Sequence, residues 1–268
     1  MNNSDNEWRA WGERDPYFAV LTNPIYRRAN IDDGAKKKFF ASGQEYVDYI
    51  LHRCRRFIDP NFEFKRALDF GCGVGRILLP LARIADEVVG VDISPAMLAE
   101  ARVRSEAEGL SEKVALVESD DGLTRVEGQF DLVHCYIVLQ HIEIHRGRAY
   151  FERLVDLVQP GGTGVIQLTY AKMAFADNFG RPPAPVAPPA AELTLLDRLR
   201  RGVEVRDEPA PNPAQDPHMQ MNTYPLNDVM FILQSRGVKQ VHLEFTDHGG
   251  ELGTFIFFKR PPTPPPKA

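Results

Sequence analysis

Apolar residues recur at intervals of three and four between residues 43 and 58. Tyr46, Val47, Ile50, Leu51, Cys54, Phe57 and Ile58 share one helical face, so the spacing predicts an amphipathic helix over 43–58. Ser42 and Glu45 form a capping box at its start, and Pro60 ends it. From residue 66 the pattern changes. Short strand-like runs at 66–70, 87–91, 113–118, 130–136 and 163–170 alternate with helical spacing near 75–85, 95–108 and 146–158. Ser94 before Pro95 is a helix start and Gly109 a stop, while Pro80 is expected to bend the helix it interrupts. Later come a helix near 226–236 and strands near 239–246 and 252–259, joined by the turn-rich TDHGGEL as in an antiparallel pair.

Strand and helix in alternation imply a doubly wound α/β fold, a parallel sheet with helices on both faces. Residues 1–62, with Trp8, Trp11, Tyr17, Phe18, Tyr26, Phe39 and Phe40 in a polar background, are expected to form a helical cap or lid on a domain at 63–260. Nine prolines between 182 and 217 mark an insertion at 171–222, with a short helix expected near 191–201. The tail at 261–268, PPTPPPKA, offers nothing to pack and is expected to be disordered.

The 268 residues are 43% hydrophobic and 26% charged, as in a globular protein. A net charge of −5 speaks against nucleic acid as the main partner, and the Lys36–Lys37–Lys38 run reads as a solvated face. No apolar run reaches the roughly 18 residues a membrane span needs. Cys54, Cys72 and Cys135 have neither a disulfide-framework spacing nor a paired metal-ligand spacing, so no metal site is expected. The polar N-terminus lacks a secretion signal, which makes the cytoplasm the expected location.

The chemistry concentrates in DFGCGVGR at 69–76. A loop between a strand's end and a helix's start lies where open α/β sheets bind ligands. Gly71, Gly73 and Gly75 let the backbone come close to a ligand and take dihedrals other residues avoid. The register is wrong for the dinucleotide fingerprint, whose third glycine falls on Arg76. Asp69 would repel a pyrophosphate and attract a cation. Asp92 lies 92 − 69 = 23 positions on, at the end of the next strand, about where such units hold a ribose. It could also cap the helix with Ser94. Glu118, Ser119, Asp120 and Asp121 put further acid at the third strand's end, for a base's amino edge or for an Asx turn before Gly122.

With Asp69 to Gly75, Asp92, FDLVHCYIVLQHI (130–142) and LVQPGGTGVIQ (157–167), the chain resembles class I S-adenosylmethionine-dependent methyltransferases of the small-molecule type. The resemblance covers 66–170 well and 226–260 loosely. It implies a Rossmann-like, mostly parallel seven-stranded sheet with the last strand antiparallel, and S-adenosyl-L-methionine as cofactor. By resemblance Asp69, Gly71, Gly73 and Gly75 would hold the methionine part, Asp92 the ribose, and Met97 and Asp120 the adenine, with Cys72, Ile93, Asp121 and Tyr136 also in the cofactor site. Met97 also suits a helix core. No N/D-P-P-Y/F stretch follows the fourth strand, which lowers nucleobase amino groups as acceptors.

Methyl transfer needs an acceptor aligned with the activated methyl, and an oxygen acceptor also needs a base. His134, Tyr136, Gln140, His141 and His145 cluster after the fourth strand. His141 is the first candidate, because it sits where the chain leaves the sheet, whereas His134 within the strand reads as a core residue. Tyr17 and Phe18 are expected at the acceptor site if 1–62 forms a lid, and His218, Met219 and Tyr224 are available from the insertion. The reading is a methyltransferase acting at oxygen on a sugar-type or secondary-metabolite acceptor, working as a monomer or homodimer. A cofactor-binding module without turnover is the alternative, and the glycine register disfavours a nicotinamide oxidoreductase.

Overall fold

A computed structural model describes residues 3–182 and 216–262. The expected helix near 191–201 and most of the expected tail lie outside the described residues. Three helices precede the sheet: α1 (Asn3–Arg14), α2 (Pro16–Val20) and α3 (Asp33–Arg53). Then follow β1 (Arg66–Phe70), α4 (Leu78–Ile84), β2 (Glu87–Asp92), α5 (Pro95–Ala107), β3 (Val114–Glu118), β4 (Phe130–Cys135), α6 (Ile144–Leu157) and β5 (Val158–Lys172). The chain closes with α7 (Leu226–Ser235), β6 (Gln240–Asp247) and β7 (Glu251–Lys259).

The seven strands form one sheet in the order β3-β2-β1-β4-β5-β7-β6. β1 to β5 run parallel, and β7 is antiparallel to both its neighbours. Successive side chains point to opposite faces. Val133 and Cys135 of β4 face one layer with α6 and α7, and Leu132 faces the other with α3, α4 and α5. The inner strands are buried on both faces, so they read as continuous apolar runs, whereas the edge strand β6 alternates exposed and half-buried positions. A third apolar cluster binds the N-terminal helices to the sheet unit: Trp11, Tyr17, Tyr26 and Phe39 pack with Val74 of the glycine loop and Met97 of α5.

Four local expectations are corrected. The helix expected at 43–58 begins ten residues earlier, because Asp32 caps it by accepting from the Ala35 N–H at 2.7 Å. Ser42 is thus inside α3, and its hydroxyl donates back to the Phe39 carbonyl at 2.7 Å instead of forming a capping box with Glu45. The helix ends at Arg53, and Cys54–Ile58 forms a wider π turn before Pro60. Pro80 does not bend α4: the helix starts at Leu78, so Pro80 lies in the first turn, where its missing N–H has no helical partner to lose.

Ser94 caps α5 as expected, accepting from the Met97 N–H at 3.4 Å, and Gly109 follows the helix end with φ +69°. The strand expected at 163–170 is longer at both ends, with a register shift in its pairing to β4 between Phe130 and Leu132. Among the described residues no helix is long and apolar enough to cross a membrane.

Candidate active site

The chain runs outward from β1 to β2 to β3, then returns to place β4 on the other side of β1. At such a switch point the loops leaving adjacent strands diverge and open a crevice at the strands' carboxyl ends. A cavity lies there, lined by residues from the loops after β1, β2, β3 and β4, and roofed by α1 and α2.

The glycine loop forms its floor. Gly71, Gly73 and Gly75 have φ of +76°, +53° and +91°, a region in which side chains are strained. A Cβ on Gly71 would meet the Val138 side chain, and one on Gly73 would meet Val20 of the roof. The first two glycines line the cavity; Gly75 does not, and it turns the chain into α4 by donating to the Cys72 carbonyl at 3.0 Å. Cys72 lines the cavity as a buried thiol whose pKa burial pushes well up, so it is no nucleophile.

Two carboxylates at the ends of β1 and β2 meet the cavity. Asp69 is 2% exposed; its Oδ1 lies 2.7 Å from His134 Nδ1, and its Oδ2 is buried with no hydrogen-bond partner. Asp92 accepts from the Gly73 N–H and the Ser94 N–H, each at 2.9 Å. Burial raises its pKa to about 6 against the pull of those backbone donors. It therefore performs the capping role and lines the cavity at once. Ile93 and Met97 line it beside Asp92, and Met97 is also a member of the N-terminal apolar cluster, so its core and site readings coexist.

Asp120 and Asp121 are not among the lining residues. Asp120 accepts from the Gly122 and Thr124 N–H groups at 3.0 and 2.9 Å, which makes the Asx turn. Asp121 is reached by the Arg146 guanidinium at 2.6 Å. Their neighbour Ser119 lines the cavity in their place.

Beyond β4, Tyr136, Ile137, Val138 and His141 form the opposite wall. Ile137 has φ +55°, and a β-branched residue there costs roughly 1–3 kcal/mol. The Gln167 side chain accepts from its N–H at 3.1 Å and helps hold that conformation. His141 Nδ1 lies 2.7 Å from the Gln220 carbonyl oxygen, which can only accept, so Nδ1 carries the proton and Nε2 the lone pair. Burial lowers the His141 pKa to about 4, and the ring is neutral near pH 7. The other two histidines differ. His134 is fully buried between Asp69 and Tyr46 and also lines the cavity, whereas His145 is exposed.

The roof departs from expectation in its residues. Tyr17 and Phe18 are not at the cavity: the Tyr17 hydroxyl bonds Glu100, and Phe18 lies under the Arg27 guanidinium at 3.4 Å. Ser4, Asp5, Trp8, Ala19 and Val20 line the cavity instead, and the Trp8 ring sits 4.7 Å from that of His141. Helical spacing through 3–14 was the missed signal; it places Ser4, Asp5 and Trp8 on one face. From the insertion, Met219 packs with the N-terminal cluster, and the His218 N–H donates to Glu7 at 2.7 Å. The Tyr224 hydroxyl is 2.7 Å from both the Leu139 and Ile142 carbonyl oxygens, bracing the turn that carries His141.

A family model described as a methyltransferase domain matches residues 67–162. That span holds β1 to β4, the glycine loop, both carboxylates and His141. Residues 67–162 thus form a methyltransferase domain. The ubiquinone biosynthesis O-methyltransferase of Xanthomonas campestris pv. campestris (strain B100) is 28% identical to it over 182 residues, covering 68% of this chain and 67% of that protein. The enzyme of the same name from Cereibacter sphaeroides (strain ATCC 17025) is 34% identical over 122 residues, covering 43% of this chain and 48% of that one. Among solved structures, magnesium protoporphyrin IX methyltransferase from Synechocystis PCC 6803 with bound S-adenosylhomocysteine shares the fold, with a TM-score of 0.58, 18% identity, and 94% and 98% of the two chains covered. So does an N-methyltransferase from Bradyrhizobium japonicum WM9, with a TM-score of 0.54, 15% identity, and 97% and 100% covered. The methyltransferase domain thus has the sheet of its structural relatives, and the helices at 3–53 supply the roof of its cavity.

Proposed function

We propose that the cavity holds S-adenosylmethionine and that the chain transfers its methyl group to an oxygen of a small-molecule acceptor. The observation that carries the reading is the pair of carboxylates at the ends of β1 and β2, the buried Asp69 and the half-buried Asp92. Asp69 presents an oxygen that has no donor, and a buried carboxylate oxygen left so is costly. A ligand bearing a cation satisfies it; a pyrophosphate between Asp69 and Asp92 would be repelled. The glycine loop supplies close backbone approach, and Asp92 keeps lone pairs for a ribose diol. Ser119 stands where the base edge would lie.

The cofactor brings the leaving group and the activated carbon. The protein's part is alignment, exclusion of water and handling of one proton. Trp8, Val20 and α1 cover the cavity, which favours a dry reacting centre. His141 keeps Nε2 free as a proton acceptor because Nδ1–H is committed to Gln220. Its low basicity suits an acceptor hydroxyl whose proton leaves late, as the new bond to carbon forms. The naming of the curated relatives as O-methyltransferases supports oxygen.

Calorimetric titration with S-adenosylhomocysteine and with nicotinamide dinucleotides tests the cavity's ligand. Saturation by the first and none by the second is expected, and the reverse result overturns the reading. Incubation with methyl-labelled cofactor and separate panels of phenols, alcohols and amines tests the acceptor. Label found only on amines overturns oxygen, and cofactor binding with no turnover across all panels favours a module that binds without catalysing.

A further inference from the structure

Asp69 is held by a series of hydrogen bonds that runs through His134 to Tyr46, two residues that the chemistry above leaves unused. Asp69 and His134 are register partners on the adjacent strands β1 and β4, and their side chains meet at 2.7 Å between Oδ1 and Nδ1. The other ring nitrogen, Nε2, lies 2.9 Å from the Tyr46 hydroxyl. Tyr46 comes from α3, outside the sheet. Its place is set by Gly43 three residues before it, where a Cβ would collide with the Arg76 carbonyl oxygen of the glycine loop. Only a glycine lets α3 sit that close, and that closeness brings Tyr46 to the ring.

The protons follow from the partners. Burial pushes the Tyr46 phenol well above its ordinary value, so it keeps its proton. Its hydroxyl has no other hydrogen-bond partner among the described residues, so that proton goes to Nε2, which must then hold the lone pair. Nδ1 is therefore protonated and donates to Asp69 Oδ1. The carboxylate is held on one side only: Oδ2 is left buried and unpartnered, in a residue that lines the cavity. A carboxylate free to rotate would turn both oxygens to whatever donor was nearest; this one is fixed with a single oxygen on offer.

We infer that Tyr46 and His134 are positioning residues which orient Asp69 so that its Oδ2 accepts from the ammonium group at the amino-acid end of the cofactor. The inference rests on the reading that S-adenosylmethionine occupies this cavity. It makes the series a selector for the whole cofactor against nucleoside fragments that lack the ammonium. His134 and Tyr46 touch Asp69 and each other rather than the reacting atoms.

The test compares two ligands, S-adenosylhomocysteine, which carries the ammonium, and 5′-methylthioadenosine, which does not. Dissociation constants are measured by calorimetry for the full chain and for Tyr46→Phe, His134→Leu and His134→Asn. Tyr46→Phe and His134→Leu are expected to weaken S-adenosylhomocysteine about tenfold, the scale of one hydrogen bond to a charged group, and to leave methylthioadenosine within about twofold. His134→Asn, whose amide N–H can take the place of Nδ1–H, is expected to recover most of the loss. Equal weakening of both ligands in Tyr46→Phe overturns the inference, because it marks a role in packing alone. So does unchanged binding of S-adenosylhomocysteine in Tyr46→Phe and His134→Leu. A wild-type protein that binds neither ligand overturns the cofactor reading itself.

Discussion

Arg146 on α6 grips Asp5 on α1 with two nitrogens, at 2.6 and 2.9 Å from the two carboxylate oxygens. The Arg146 and Asp5 side chains are only 11% and 17% exposed, and the same guanidinium also reaches Asp121 in the loop after β3. One cation therefore joins the roof of the cavity to α6 and to the rim of the sheet. A bidentate pair this sheltered is worth more than a surface ion pair, because water competes poorly for either partner.

Asp5→Asn keeps the size of the side chain and removes its charge. It is expected to cost about 1–2 kcal/mol of stability, less than a fully buried pair because Asp121 still faces Arg146. Thermal unfolding of the variant beside wild type reads the loss. A melting curve unchanged within error would show that the pair does not hold the roof.

Gly71→Ala confronts both a φ of +76° and the Val138 side chain. The conformation alone costs about 1–2 kcal/mol, and the collision adds to it. The variant is expected to melt lower and to bind S-adenosylhomocysteine more weakly. The same change at Gly109, with φ +69° but open space around its Cβ position, is expected to cost stability without touching the ligand.

Asp92 gives the binding a pH dependence with a definite sign. Its pKa of about 6 in the free protein falls when hydroxyl donors reach the carboxylate, so binding releases a proton near pH 6. Affinity for S-adenosylhomocysteine is expected to be level above pH 7 and to fall as pH drops below 6. The effect on stability runs the opposite way. A carboxylate whose folded pKa is raised contributes stability that is present at low pH and lost as pH rises through 6, so Asp92→Asn is expected to stabilise the ligand-free protein at pH 7. Calorimetry in buffers of different ionisation heat counts the proton, and no release at pH 6 would remove Asp92 from the ligand's reach.

His141→Gln tests proton transfer. Loss of a general base lowers kcat by about 10²–10⁴-fold with little change in KM. Because burial holds the His141 pKa near 4, the wild-type rate is not expected to show a histidine inflection between pH 6 and 7. Full turnover in His141→Gln would assign the residue to the wall of the cavity and nothing more.

Much of this was legible in the order of residues. The alternation of strands and helices and the turns at glycine and proline are local properties, and a sheet buried on both faces writes itself as uninterrupted apolar runs. The glycine loop and Asp92 were legible for the same reason, since their spacing is set within one strand–helix–strand unit. The start of α3 was misread because Asp32 and Ser42 both suit a cap, and only packing against Tyr17 and Tyr26 selects the earlier one through Phe39. The acids after β3 stayed open between two readings, because an Asx turn and an open carboxylate look alike in one dimension; Asp120 makes the turn.

The sequence by itself determined the sheet, its direction of winding and the place where its loops part, since neighbouring residues specify each of these. Only the tertiary structure decided which side chains meet across that place. Tyr46 lies 88 positions from His134, and Asp5 lies 141 from Arg146, on elements whose contact depends on how three layers stack. Hydrogen bonds reach about 3 Å, so a partner is chosen by proximity in space, and periodicity along the chain carries no record of it.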